Sequence, residues 1–199
     1  MSEPLSRLRP DLAAIARHVP EGARVLDVGC GAGDLMSVLR DKGVDVRGME
    51  IDPALVERCV ARGLSVVQGD ADRDLADYPD GAFDVAILSQ TLQTAQRPDY
   101  LLDELLRIGR TGFVSFPNFA YWRMRFALLV KGRMPVTRHL PVSWYETDNI
   151  HHVTIEDFRR LLAAKGVQVE GCWFFAGGRE TGGANANWRA EHAVFQLSR

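Results

Sequence analysis

The stretch Arg24-Val25-Leu26-Asp27-Val28-Gly29-Cys30-Gly31-Ala32-Gly33 constrains the fold more than any other part of the chain. An apolar run of strand length passes directly into three alternating glycines, and Leu35 to Arg40 then has the pattern of a helix. A strand that turns straight into a helix leaves backbone N–H groups pointing at the strand's carboxyl end, which is where parallel α/β sheets bind ligands. Glycine permits such a turn because it tolerates positive φ, and it allows a ligand close to the backbone because it has no Cβ.

The units that follow repeat the same logic. Asp45 to Ile51 reads as a second strand, and Asp52-Pro53 as a helix N-cap followed by proline at the first helical position. That helix runs to Arg62 and is ended by Gly63, after which Leu64 to Gln68 makes a third strand. Phe83 to Ser89 is a continuous apolar run, Arg97-Pro98 opens a helix carrying Leu101, Leu102, Leu105 and Ile108, and Gly112 to Phe116 is a further strand. Strands and helices alternating at these intervals predict a mostly parallel sheet with helices on both faces. Thr154 with Asp157 predicts a capped helix to Lys165, and Val167 to Phe175 and Ala193 to Leu197 predict two last strands. The glycine cluster from Gly177 to Gly183 between them suits an antiparallel hairpin at the sheet's edge. No repeat or linker divides the 199 residues, so a single domain over 1–199 is expected. Phe119, Trp122, Phe126 and Leu129 are spaced as one helical face, and Gly132 to His152, with Pro135 and Pro141, reads as a loop. Residues 119–152 are therefore expected to form a lid or partner-binding insertion.

Charge and cysteine content exclude several classes. A net charge of −2 gives no electrostatic footprint for nucleic acid, and Arg123 and Arg125 near Tyr121 and Trp122 fit an amphipathic helix more economically. Three scattered cysteines with no CxxC pair indicate neither a disulfide framework nor a zinc ribbon. No signal peptide or spanning segment is legible, and a cytoplasmic location is the expectation.

The nicotinamide and flavin pattern G-x-G-x-x-G fails, because its last glycine would fall on Asp34, an acid where a pyrophosphate must pack. G-x-G-x-G with Asp27 two residues upstream instead resembles the first motif of class I methyltransferases. The resemblance implies a Rossmann-like domain with a C-terminal antiparallel strand that binds S-adenosylmethionine or S-adenosylhomocysteine. Glu50, at the end of the second strand, could accept both ribose hydroxyls, and Asp70 after the third strand stands where that family places an acid near the adenine amino group. The competing reading makes both acids merely solvated residues at strand ends, and it fits Asp70 better than Glu50. The candidate ligand set is Asp27, Gly29, Cys30, Gly31, Gly33, Glu50, Ile51, Asp70, Ala71, Ser89 and Gln90. No metal site is indicated.

A catalytic group is harder to find. Ser89-Gln90-Thr91-Leu92-Gln93 occupies the place where amino-methyltransferases acting on bases or glutamine often carry Asn/Asp-Pro-Pro-Tyr/Phe, which speaks against that acceptor class. Ser89 has no G-x-S-x-G elbow, His151 and His152 are adjacent in an extended segment and face opposite ways, and nothing singles out His18 or His192. Methyl transfer from a sulfonium can proceed by positioning alone, so the absence of a base does not exclude it.

Outside the cofactor frame, the whole chain resembles the MetW family of methionine biosynthesis. Arg9-Pro10-Asp11-Leu12, Gly48-Met49-Glu50-Ile51-Asp52-Pro53 and Leu88-Ser89-Gln90-Thr91-Leu92-Gln93 carry the likeness. So do Arg97-Pro98-Asp99, Val114-Ser115-Phe116-Pro117-Asn118-Phe119 with Trp122-Arg123, Gly132-Arg133-Met134-Pro135-Val136-Thr137, Trp144-Tyr145 and Asn149-Ile150-His151. Ala32 and His152-Val153 depart from the family's usual residues. The resemblance implies a methyltransferase-like subunit that accompanies homoserine O-acyltransferase (MetX), with the acyl transfer belonging to that partner. An ordinary methyltransferase acting on a small molecule is the competing reading.

Overall fold

A computed structural model of the chain describes residues 8–136 and 143–199. The elements in order are α1 (Pro10–His18), β1 (Arg24–Val28), α2 (Asp34–Asp41), β2 (Asp45–Glu50), α3 (Pro53–Ala61), β3 (Ser65–Gln68) and α4 (Ala71–Asp74). Then come β4 (Phe83–Ser89), α5 (Pro98–Ile108), β5 (Gly109–Pro117), α6 (Trp122–Lys131), α7 (Ile155–Lys165), β6 (Gln168–Ala176), β7 (Arg179–Thr181), α8 (Ala186–Arg189) and β8 (His192–Ser198). They build one sheet in the order β3-β2-β1-β4-β5-β8-β6-β7. The first five strands run parallel, and β8 enters antiparallel between β5 and β6. Strand order reverses between β1 and β4, so the carboxyl ends of those two strands flank the topological switch point where open α/β sheets bind ligands.

Two apolar layers cover the sheet. Val25, Ile87 and Phe113 pack with Leu12, Ile15, Leu35 and Met36 on one face. On the other, Leu26, Leu88 and Phe116 pack with Leu101, Leu105, Phe158 and Phe195. Local signals set the element ends: Asp52 Oδ1 accepts from the Ala54 amide (2.8 Å), and Thr154 Oγ1 accepts from the Asp157 amide (3.1 Å), each capping a helix.

Three features differ from the sequence reading. Helix α1, absent from it, buries Asp11 along with Leu12, Ala14, Ile15 and Ala16. The glycine cluster does not simply join the last two strands. Gly177 (φ 58°) and Gly178 (φ 76°) make a two-residue turn with both φ positive, which folds β7 back on β6 as an extra edge strand. Phe119 lies outside α6, because Asn118 anchors the exit from β5: its side chain donates to the Ala190 carbonyl (2.8 Å) and accepts from the Ala120 amide (3.1 Å). Phe119 instead meets His152 edge-on, with ring centroids 4.5 Å apart. From Gly132 to Val153 the described backbone is irregular; Thr137 and Pro141 lie outside the described residues. Among the described residues no helix is long and apolar enough to cross a membrane.

Candidate functional site

The three loop glycines all take left-handed φ, at 72°, 58° and 78° for Gly29, Gly31 and Gly33, but they do different things. A Cβ on Gly29 would collide with the Thr91 hydroxyl, and one on Gly33 with Leu64 and Cys59. A Cβ on Gly31 would meet nothing within 4 Å. Gly29 and Gly33 therefore serve close packing, while Gly31 presents bare backbone to open space. Thr91, quoted in sequence only as part of a family motif, locks the turn by donating to the Val28 carbonyl (3.1 Å).

Glu50 ties the first two strand ends together. Its Oε2 accepts from the Gly31 amide (2.8 Å), and its Oε1 accepts from the amides of Ile51 (2.9 Å) and Asp52 (3.0 Å). The side chain is 7% exposed, so these bonds hold a buried carboxylate in a fixed orientation. A carboxylate offers about four lone-pair sites, so an incoming ribose diol would share Glu50 with these amides or displace one. Beside it, Ile51 keeps an apolar side chain 62% exposed.

Asp27 is a buried carboxylate with little compensation. It is 2% exposed, and its Oδ1 has no hydrogen-bond partner among the described residues. Burial drives its carboxyl up to a pKa of about 7, with the Arg9 charge opposing the rise and Glu50 adding to it. A carboxylate left this way is suited to a cationic partner that arrives from outside.

Next to it, at the ends of β4 and β5, lies a polar cluster that sequence reasoning named only in part. Asp11, fully buried, accepts from Ser115 Oγ (3.0 Å) and from Arg9 through Nε (3.2 Å) and Nη2 (3.1 Å). Ser89 Oγ and Gln90 Nε2 also approach Asp11 Oδ2, each at 3.4 Å. Burial alone would push the Asp11 pKa up; the charge and hydrogen bonds of Arg9, the nearby His192 and the Ser115 hydroxyl together hold it below the usual value. Gln90 stands at φ 55°, a conformation uncommon outside glycine, and its amide donates to the Ser115 carbonyl (2.9 Å).

The other candidates occupy plainer positions. Asp70 caps α4, its Oδ1 accepting from the Asp72 amide (3.0 Å), and Ala71 opens that helix. Cys30 is buried, which pushes its thiol far up and leaves it neutral rather than nucleophilic. His18 caps into the Ala14 carbonyl (2.8 Å) and packs on Trp173 (4.1 Å), and His192 stacks on Phe175 (5.1 Å). The backbone amides of Ile150 and His151 both donate to the Gln93 carbonyl (2.9 and 3.0 Å), which brings the irregular segment back to the β4 end. That segment encloses an apolar cavity of about 230 Å³ lined by Phe119, Pro135, Val136, Trp144 and His152 among others. Among the described residues no cluster could hold a metal ion.

Strand order, glycine loop and acidic strand end define a class I S-adenosylmethionine-dependent methyltransferase fold, and solved structures agree. One from Mesorhizobium loti, an S-adenosylmethionine-dependent methyltransferase, superposes with a TM-score of 0.72 at 19% identity, covering 98% of this chain and all of that one. Another from Archaeoglobus fulgidus gives 0.70 at 17% identity, covering 94% of this chain and 92% of that one. At those identities the likeness is one of fold. The family described as methionine biosynthesis protein MetW matches residues 9–197, and the chain belongs to that family. A bifunctional methionine biosynthesis protein MetXA/MetW of Rhodopirellula baltica is 34% identical over 173 residues, which cover 82% of this chain and 28% of that protein. A ubiquinone biosynthesis O-methyltransferase of Xylella fastidiosa is 36% identical over 154 residues, covering 72% of this chain and 62% of the enzyme.

Proposed function

We propose that this chain binds S-adenosylmethionine or S-adenosylhomocysteine at the β1–β2 strand ends and works as the partner subunit of homoserine O-acyltransferase (MetX). The ligand reading rests above all on Asp27, a buried carboxylate with an unused oxygen beside a glycine whose backbone is open. Asp27 would receive the ligand's ammonium, Gly31 would pass its backbone along the ligand, Glu50 would take the ribose, and Ile51 would lie against the adenine. Bound S-adenosylmethionine supplies a methyl group activated by a sulfonium. The chain's own residues bind and orient it, and none of them is placed as a base.

The partner reading rests on the Rhodopirellula baltica protein, whose name joins MetXA and MetW in one polypeptide. A fused pair of functions implies that the separate chains work together. The surface for such a contact is the 119–152 segment, where Phe126, Leu129, Trp144 and Tyr145 are 60%, 83%, 75% and 70% exposed. Aromatic residues are enriched at the energetic centres of interfaces. S-adenosylmethionine is made from methionine, so ligand binding would report the pathway's end product if affinity differs between free and complexed protein, with a coupling of about 1–3 kcal/mol being typical.

The test is homoserine acylation by purified acyltransferase, with and without this chain, during titration with S-adenosylmethionine. Acylation that needs the chain and responds to the ligand is expected. Acylation indifferent to the chain would defeat the partner role, and labelled methyl appearing on a metabolite acceptor would establish the small-molecule methyltransferase reading instead.

A further inference from the structure

Acidic residues are missing from one long stretch of this chain. Between Glu104 and Glu146 there is no Asp or Glu, while residues 119–145 carry Arg123, Arg125, Lys131, Arg133 and Arg138. The whole chain has a net charge of −2, so the remainder is net acidic and this one segment is strongly cationic. Arg138 lies outside the described residues. Arg123, Arg125, Lys131 and Arg133 are all exposed, and among the described residues none of the four is in an ion pair.

Helix α6 arranges these cations around an apolar ridge. At 3.6 residues per turn, Trp122, Phe126 and Leu129 fall on one face, opposite the buried Met124, and Arg123 and Arg125 fall to either side of it. Lys131 ends the helix and Arg133 follows it. Two of the guanidiniums are held in place. Arg123 lies over the Trp122 ring at 5.3 Å, and Arg125 lies over Trp188 at 5.2 Å while its Nε donates to the Ala120 carbonyl (2.6 Å). An apolar centre with a charged rim is the layout of a protein–protein contact, in which the rim steers the encounter and rejects wrong partners. Planar guanidiniums in a fixed orientation suit carboxylates, which they meet with two parallel N–H donors. An extended anionic surface such as a lipid leaflet or nucleic acid would also confront the net acidic remainder of the chain, which opposes both.

We propose that α6 and the cations around it dock an acidic face of a partner protein, one that sets Asp and Glu side chains around an apolar patch. The inference rests on the homoserine O-acyltransferase reading above and adds the chemistry by which that partner is recognised: charge attraction speeds the encounter, and the Trp122–Phe126–Leu129 ridge holds the complex.

The test measures association of this chain with purified acyltransferase by surface plasmon resonance, from about 0.05 M to about 0.5 M sodium chloride. Across that range salt shortens the reach of a charge from above about 10 Å to below about 8 Å. The association rate constant is expected to fall at least about ten-fold, with dissociation changing far less. Lys131→Glu with Arg133→Glu should slow association about ten-fold or more at low salt and flatten its salt dependence, leaving S-adenosylmethionine affinity unchanged. Lys131→Gln with Arg133→Gln, which adds no repulsion, should fall between, and Lys131→Arg with Arg133→Lys should match the unmodified chain. Association that ignores salt, or that the glutamate variant leaves unchanged, would overturn the acidic face while leaving the partner reading in place. Capture of the chain on phosphatidylglycerol vesicles, lost in the glutamate variant while acyltransferase binding is kept, would assign the surface to lipid and overturn the proposal as well. An unmodified chain that does not bind the acyltransferase at any salt concentration would remove the partner reading, and this inference with it.

Discussion

The strand-end row from Asp27 to Ser115 and the segment from Phe119 to His152 meet at the Gln93 carbonyl, and they are built on opposite terms. In the row, charged and polar groups are buried and nearly every one is bonded: Glu50 to three amides, Asp11 to Arg9 and Ser115. In the segment, α6 buries only Met124 while Trp122, Phe126, Leu129 and Val130 stay in water. A row of satisfied polar groups with one unused carboxylate oxygen needs only a small polar molecule to complete it. A helix that leaves its apolar side uncovered gains by meeting another surface. Under the proposed function, the contrast assigns ligand recognition to the row and partner recognition to the segment, and makes each open to attack without the other.

The largest effect should come from Asp27→Asn. The folded-state pKa of Asp27, about 7, lies above its ordinary value of 3.8, so the folded protein holds a proton that the unfolded chain has released. Stability of the ligand-free chain should therefore fall as pH rises from about 4 to about 7 and level off above, by on the order of 4 kcal/mol in total. The Asn variant should lack that decline, be the more stable chain at pH 8, and lose the ligand. Urea midpoints at pH 5 and pH 8 check the first part, and a variant with the wild-type slope would reassign the titration. Glu50→Ala comes next, with ligand affinity reduced by roughly 1.5–3 kcal/mol in calorimetry. Equal binding by that variant would remove Glu50 from the site. Gly31→Ala should cost about 1–2 kcal/mol of stability from its left-handed φ alone, while its methyl enters the open space and blocks binding. Normal binding by a folded Gly31→Ala chain would make the loop a turn and nothing more. The smallest effect on the chain itself is expected from Phe126→Ser with Leu129→Ser, within about 0.5 kcal/mol of wild-type stability because both side chains are exposed. The same pair should abolish co-elution with the acyltransferase and leave ligand affinity untouched; intact co-elution would move the contact surface elsewhere.

Elements that announce themselves locally were readable from sequence. Phe83–Ser89 is a strand because Phe83 and the run Val85 to Leu88 make five of its seven residues apolar, and Ile155–Lys165 is bounded by its own Thr154 cap and Gly166 stop. The glycine loop, Glu50 and Asp70 likewise fell at the strand ends where the pattern put them. What sequence hid depends on contacts across the fold. Helix α1 opens with Pro10 and Asp11 after Arg9, and a carboxylate at a fully buried position runs against the usual pattern of buried residues. Only the meeting of α1 with the ends of β4 and β5 makes that burial intelligible. Thr91 has the same character, since its value lies in filling the space that Gly29 leaves empty.

The insertion of β8 between β5 and β6 also governs how the chain comes together. Gly112 pairs with Leu197 and Phe174 with Ala193, so two halves of the sheet wait on a strand made far later in the sequence. Such distant pairings carry a loop-closure entropy that local contacts cannot offset early, which slows folding and delays cooperativity. During synthesis the parallel strands can assemble as they emerge, yet Phe113 and Phe116, both completely buried in the finished sheet, remain short of their cover until β8 arrives. The binding row is thus among the last parts to be sealed: Ser115 lies opposite Val194, and His192, beside Asp11, reaches its place only with that final strand.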